Sequence, residues 1–143
     1  MRKAYFGISL SNRPRFDAEI DQLKRCLASF QYSLFVFVDV YSFTADQATE
    51  MMQTAFRDLD ASDVLIVELS KKAIGVGVEV GYAVAKGIPI IYLKRQEASY
   101  STTVGGSADY FLAYNGLTEL EEKMTEVMKK MVKNDRSGGR TVH

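Results

Sequence analysis

Asp63-Val64-Leu65-Ile66-Val67-Glu68-Leu69, then Gly75-Val76-Gly77-Val78-Glu79-Val80-Gly81-Tyr82-Ala83, then Pro89-Ile90-Ile91-Tyr92-Leu93, is the stretch on which the fold turns. Its first and third pieces are short, continuous apolar runs, the pattern of parallel strands covered on both faces. Ser70 to Val76 reads as a loop. A helix is expected from about Gly77 to Lys86, with Gly87 just past its end, where a left-handed residue is favoured. Strand, helix, strand is a βαβ unit, and such crossovers are right-handed.

The same alternation extends outward. Lys3 to Ile8 reads as a first strand and Ser9 to Arg15 as a polar loop. Phe16, Ile20, Leu23, Leu27 and Phe30 recur at helical spacing, and Leu34 to Val40 is a β-prone run. Thr44 with Gln47 fits a capping box that opens a helix reaching about Leu59. Beyond the central stretch, Glu97 to Ser107 reads as a mobile small-residue loop and Asp109 to Tyr114 as a short last strand. Thr118 with Glu121 fits a second capping box, for a helix reaching about Lys133. Met124, Met128 and Met131 on that helix form a core or oligomer-contact face. The expectation is an α/β fold: an open, mostly parallel five-stranded sheet with helices on both faces, flavodoxin-like or Rossmann-like. It forms one domain over residues 1–133, and 134–143 is expected to be a disordered tail. Ligands in such sheets bind outside the carboxyl ends of the strands, which gathers the loops 9–15, 69–78 and 94–107.

Composition narrows the chemistry. Lysine plus arginine equals aspartate plus glutamate at 18 each, so nothing argues for a nucleic acid polymer or an acidic membrane as partner. Zero net charge instead favours self-association. The N-terminus lacks the apolar core of a signal peptide and no run approaches a membrane span, so the expected location is cytoplasmic. The single cysteine, Cys26, allows no intrachain disulfide and is read as inert core. The one histidine is His143, which removes histidine-based triads and histidine metal sites; no metal is expected.

The segment around Glu79 carries the sharpest chemical signal. Its third glycine, Gly81, comes one place late for a dinucleotide fingerprint, and no G-K-[ST] ends it as in a P-loop. Gly75 and Gly77 let backbone approach a ligand, and free N–H groups at a helix start favour an anion. Glu79 is a carboxylate among small and apolar neighbours. Placed in the first helical turn, it is expected to be stabilised in its ionised form, as a glycosyl nucleophile requires. The alternative is a surface charge that only complements the helix dipole.

These segments resemble the nucleoside 2-deoxyribosyltransferase superfamily. Within it they are most similar to the 2′-deoxynucleoside 5′-monophosphate N-glycosidases, well over Asp63 to Leu93 and more loosely from Tyr5 to Thr103. The resemblance implies that Glu79 attacks the anomeric carbon of a nucleoside or nucleotide and displaces the base, without any cofactor. It implies that Tyr5 contacts the sugar end and that Thr103 stands where the N-glycosidases place a phosphate-binding serine. It assigns Asp63 a structural role, and it implies a homodimer or larger homo-oligomer whose partner subunit often completes the site.

Departures from the pattern are equally specific. The glycine-rich G-S-I-R-G-G phosphate loop is replaced by Ile8-Ser9-Leu10-Ser11-Asn12-Arg13-Pro14-Arg15, which keeps Ser9 and offers Arg13 and Arg15 to a phosphate. The family's helix aspartate falls at Ala55, with Asp58 and Asp60 expected on other helix faces. The acid or serine six residues before the nucleophile falls at Ala73. General acid help of the kind these positions supply is commonly worth about 10²–10⁴-fold. Lys94 and Arg95 are expected at the ligand edge or as an exposed basic pair. Glu68 is expected either to face the site or to be a solvated strand-end charge. Tyr110, Phe111 and Tyr114 are expected to pack a core or a neighbour's base. Three readings follow: an N-glycosidic-bond enzyme, with hydrolase favoured over transferase; a nucleotide-binding or sensing domain without activity; and an NAD-cleaving domain.

Overall fold

The computed structural model describes residues 1–136. Strand β1 (Arg2–Gly7) leads through a 3-10 turn at Arg13–Phe16 into α1 (Asp17–Ala28), then β2 (Tyr32–Val36) and a single helical turn, α2 (Phe37–Val40). Then follow α3 (Ala48–Asp60), β3 (Val64–Glu68), α4 (Ile74–Lys86), β4 (Ile90–Arg95), α5 (Thr102–Ser107), β5 (Tyr110–Tyr114) and α6 (Leu117–Arg136). The five strands form one sheet in the order β2-β1-β3-β4-β5, and every neighbouring pair is parallel. The expected α/β class therefore holds. Among the described residues, no helix is long and apolar enough to cross a membrane.

Strand alternation divides the core in two. Ala4, Phe6, Val64, Ile66, Ile91, Leu93 and Leu112 pack against α1 and the methionine face of α6. The intervening residues Tyr5, Leu65, Val67, Ile90 and Tyr92 pack against α3, α4 and Val104 of α5. Strand β3 is buried along its whole length because both of its faces are covered, which explains its nearly unbroken hydrophobic run.

Several boundaries differ from the sequence reading. The strand expected over 34–40 begins at Tyr32 and ends at Val36, the partner of Phe6. Beyond it β1 offers no further pairing, and the chain turns with Tyr41 N–H donating to the Phe37 carbonyl at 3.2 Å. The capping box forms, with Thr44 N–H donating to Gln47 Oε1 at 2.9 Å, and it opens a 3-10 turn ahead of α3. The second box does not form, because α6 already starts at Leu117. The loop expected over 97–107 contains α5, where the Ser101 side chain caps Val104 N–H at 3.2 Å. Lys94 and Arg95 belong to β4, which stays paired with β5 as far as Arg95 and Tyr114. Helix α6 continues through Arg136, into the segment expected as a tail, and residues 137–143 lie outside the described residues.

Candidate active site

The chain leaves β1 toward β2 on one side and returns to place β3 on the other. The crevice at the carboxyl ends of β1 and β3 is therefore the switch point of the sheet. Strand β1 sends Tyr5 and Gly7 to the face covered by α4. The inward positions of α4 are Val76, Glu79, Val80 and Ala83, a helical stripe with one carboxylate in it. Glu79 is thus carried into the core by the same packing that buries its apolar neighbours, and it is 8% exposed.

There the two elements meet. The Tyr5 hydroxyl donates a short hydrogen bond to Glu79 Oε2. Oε1 accepts no hydrogen bond among the described residues and rests against Gly7, where an added Cβ would stand 3.0 Å from it. Gly7 was not singled out in the sequence, because only the approach of α4 to β1 gives its missing side chain a purpose.

The protonation of this pair corrects an expectation. Helix α4 starts at Ile74, not near Gly77, so Glu79 falls in the second turn and the first turn holds no acid. Burial, rather than the helix dipole, dominates and raises the Glu79 pKa from 4.5 to about 7, against the opposing effect of the Tyr5 hydrogen bond. Burial also drives the Tyr5 phenol well above its ordinary range, with Glu79 and then Asp58 adding to the rise, so Tyr5 stays protonated and remains a donor. The result is a carboxyl group that changes charge near neutrality, with one oxygen held and the other unpartnered.

The remaining candidates are dispersed. Gly75 and Gly77 lie exposed in the first turns of α4, with open space where a Cβ would project. Ala73 precedes that helix without a side-chain cap. Ser9 closes its own loop, its carbonyl accepting from Asn12 N–H at 3.1 Å and Arg13 N–H at 3.0 Å. Arg13 is already paired, with Asp39 at 2.8 Å and 2.9 Å and with Asp17 at 2.7 Å. Thr103 is an exposed residue of α5. Lys94 is buried and donates to the carbonyls of Arg95 and Gln96, while Arg95 pairs with Glu19 at 2.6 Å and lies over the Phe16 ring. Neither is the exposed basic pair or the free ligand-edge cation of the sequence reading.

Glu68 is not solvated and does not face Glu79. It points to the opposite side of the sheet, where Tyr114 OH donates to it at 2.9 Å, and burial pushes its pKa up. Asp63 pairs with Lys3 at the far end of the sheet, accepting from its N–H at 2.8 Å.

Helix α3 brings in a residue that the linear sequence placed elsewhere. Ala55 is buried beneath the site-side core, and Asp60 turns away to Tyr82 OH at 2.7 Å. Asp58, however, faces Tyr41 and Tyr5: its carboxylate is the leading cause that raises the Tyr41 phenol, and it contributes to the rise at Tyr5.

The model of the family described as Nucleoside 2-deoxyribosyltransferase matches residues 4–135. The chain belongs to the nucleoside 2-deoxyribosyltransferase family. A protein of Thermofilum pendens named "Putative 2'-deoxynucleoside 5'-phosphate N-hydrolase 1" is 31% identical over 84 residues, covering 55% of this chain and 59% of that protein. The chain thus spans about three-fifths of the length of this curated relative. The CMP N-glycosidase of Clostridium botulinum has the same fold, with a TM-score of 0.64 at 18% identity over 88% of this chain and 99% of that one. So does the 2-deoxyribosyltransferase of Bacillus psychrosaccharolyticus, with a TM-score of 0.63 at 10% identity over 88% and 95%.

Proposed function

We propose that this protein cleaves the N-glycosidic bond of a nucleoside or nucleoside 5′-monophosphate with Glu79 as nucleophile. The observation that carries this reading is the buried Tyr5–Glu79 pair at the switch point, with one carboxylate oxygen held and the other unpartnered. Glu79 Oε1 forms a bond to the anomeric carbon as the carbon–nitrogen bond breaks. The bonding pair departs with the base, which takes up a proton from water. Tyr5 fixes the carboxylate through Oε2 and remains a donor near the sugar. Water then attacks the same carbon and frees Glu79 in a hydrolase, while a second base does so in a transferase. The chemistry uses no metal and no organic cofactor.

The relatives' names support this substrate class, and hydrolysis remains the favoured outcome. Support for a 5′-phosphate is thinner than the sequence suggested, since Arg13 and Arg95 are paired with carboxylates and Lys94 with carbonyls. Gly75, Gly77, Ser9 and Thr103 complete the proposed substrate-binding set, with the backbone N–H groups at the start of α4 available to an anion.

The test is incubation with ribo- and deoxynucleosides and their 5′-monophosphates, following free base by chromatography beside Glu79→Ala. The expected result is base release by the wild type and none by the variant, with a covalent sugar adduct on Glu79 in rapidly quenched samples. Release only when a second base is present identifies a transferase. Folded wild-type protein that binds a nucleoside without cleaving it supports the alternative, a binding domain, which the alanines at positions 55 and 73 favour.

A further inference from the structure

Glu68 and Ser70 are polar groups that the proposed chemistry does not use, and they meet where the chain leaves the sheet for α4. Glu68 is the last residue of β3, 2% exposed, with Leu93 of β4 beside it. Strand β4 runs on to Arg95, beyond the end of β3. The Ser70 hydroxyl accepts the Arg95 N–H at 2.8 Å, in place of a strand carbonyl. The Ser70 N–H in turn donates to Glu68 Oε1 at 2.5 Å, while Tyr114 OH holds Oε2. Burial raises the Glu68 pKa, and the hydroxyl and N–H of Ser70 both oppose the rise. A buried carboxylate with both oxygens engaged fixes its partners in place. Strands β3, β4 and β5 and the departing loop are thus tied together at Ser70.

The three residues between Ser70 and α4 add little support. Lys71 and Lys72 are exposed. Ala73 is extended, at φ −146° and ψ 127°, and gives α4 no side-chain cap. Gly75 and Gly77 are weak helix formers, and Ile74 points outward. Only half-buried Ala73 and buried Val76 dock this stretch on the core. The seat of the first turns of α4 therefore depends on where the loop leaves the sheet.

We propose that Ser70 is a positioning residue for Glu79. By fixing the departure of the β3–α4 loop between Glu68 and Arg95, it seats the first two turns of α4 and aims the unpartnered Glu79 oxygen into the crevice. Its own hydrogen bonds go to Glu68 and Arg95, so it acts through the loop. This rests on the nucleophile reading given above and adds the residue that holds the nucleophile's helix.

The experiment compares wild type, Ser70→Ala, Ser70→Thr and Tyr114→Phe. The Glu79 titration midpoint is read by NMR on protein labelled with carboxyl-13C glutamate, assigned with Glu79→Gln, and kcat and KM are read for the nucleoside cleaved. The groups that face Glu79 stay the same in every variant: Tyr5 of β1, with Asp58 and Tyr41 acting on Tyr5. Tyr92 of β4 is engaged with the Ser101 N–H. Ser70→Ala should admit water to Glu79 and move its midpoint down from about 7 toward 4.5. Its kcat should fall by up to about 100-fold with KM little changed, as for a reacting group misplaced by about an ångström. Ser70→Thr keeps the acceptor and should restore both. Tyr114→Phe disturbs the same carboxylate but leaves the Ser70 N–H held, so it should lower stability alone. A Glu79 midpoint or kcat that stays unchanged in Ser70→Ala, moves equally in Tyr114→Phe, or is not restored by threonine overturns the proposal. If Ser70→Ala does not fold, Ser70→Cys, with a poor acceptor of similar size, gives the same reading. If wild type releases no base, the glycosidase reading fails separately, and the Glu79 midpoints still decide the positioning.

Discussion

Glu79 is where the packing of the fold and its chemistry oppose each other. Its position on α4 is an inward one, and an ionised carboxylate there loses hydration that Tyr5 only partly replaces. The pKa rises on folding from 4.5 to about 7, so between those values the folded chain holds more protons than the unfolded one. Stability therefore falls as pH rises through this window, and the loss is complete above about pH 7, at about 3 kcal/mol. Glu79→Gln should be more stable than wild type by up to about that amount at alkaline pH and close to it in mild acid. Urea denaturation at both pH values checks this, and a difference that does not change with pH would sink it. Activity should run the other way, with kcat/KM rising through about pH 7 as the nucleophile ionises. In the sequence, Glu79 is legible because a carboxylate interrupts an apolar helical stripe. Gly7 and Asp58 are not, since each matters only through the distance between separate elements, and nothing local marks them.

At the scale of elements, the strands β1, β3 and β4 were legible because parallel strands must be apolar on both faces. Their helices were legible because one stripe must be apolar. What failed was termination. Gly75 is a poor helix former and reads with Ile74 and Val76 as loop, yet Val76, Val80 and Ala83 dock on the sheet and carry the helix back to Ile74. Helix α5 is short and polar, and it is fixed by the Ser101 cap, by buried Val104 and by Gly105, whose lack of a Cβ makes room for Tyr100. The carboxyl ends of β3 and β5 are joined on the face away from Glu79 by Tyr114 and Glu68. Tyr114→Phe removes that donor and leaves Glu68 Oε2 buried without it, a loss of about 1–3 kcal/mol. The expected outcome is a lower midpoint in urea with base release unchanged, because Tyr5, Glu79 and α4 lie across the sheet. A variant of full stability would show that Glu68 is satisfied without Tyr114.

For the molecule as a whole, the outer face of α4 is the feature that a lone chain does not explain. Ile74 is 90% exposed, Val78 44% and Val84 52%, and Gly77 and Gly81 lie between them on the same side of the helix. A surface this apolar and smooth, on the very helix that carries Glu79, suits close approach of a second copy, and zero net charge offers little repulsion against it. The homo-oligomer expected by resemblance is therefore assigned, as a proposal, to this face. Ile74→Asp combined with Val84→Lys should shift the protein toward monomer in sedimentation velocity. Neither residue packs in the core, so the fold should be retained. If a neighbouring subunit completes the substrate site, the dispersed variant loses base release while keeping its stability. If the site is whole in one chain, only the assembly changes. Wild-type protein that remains monomeric at high concentration would remove the interface and leave the α4 face without a role in assembly.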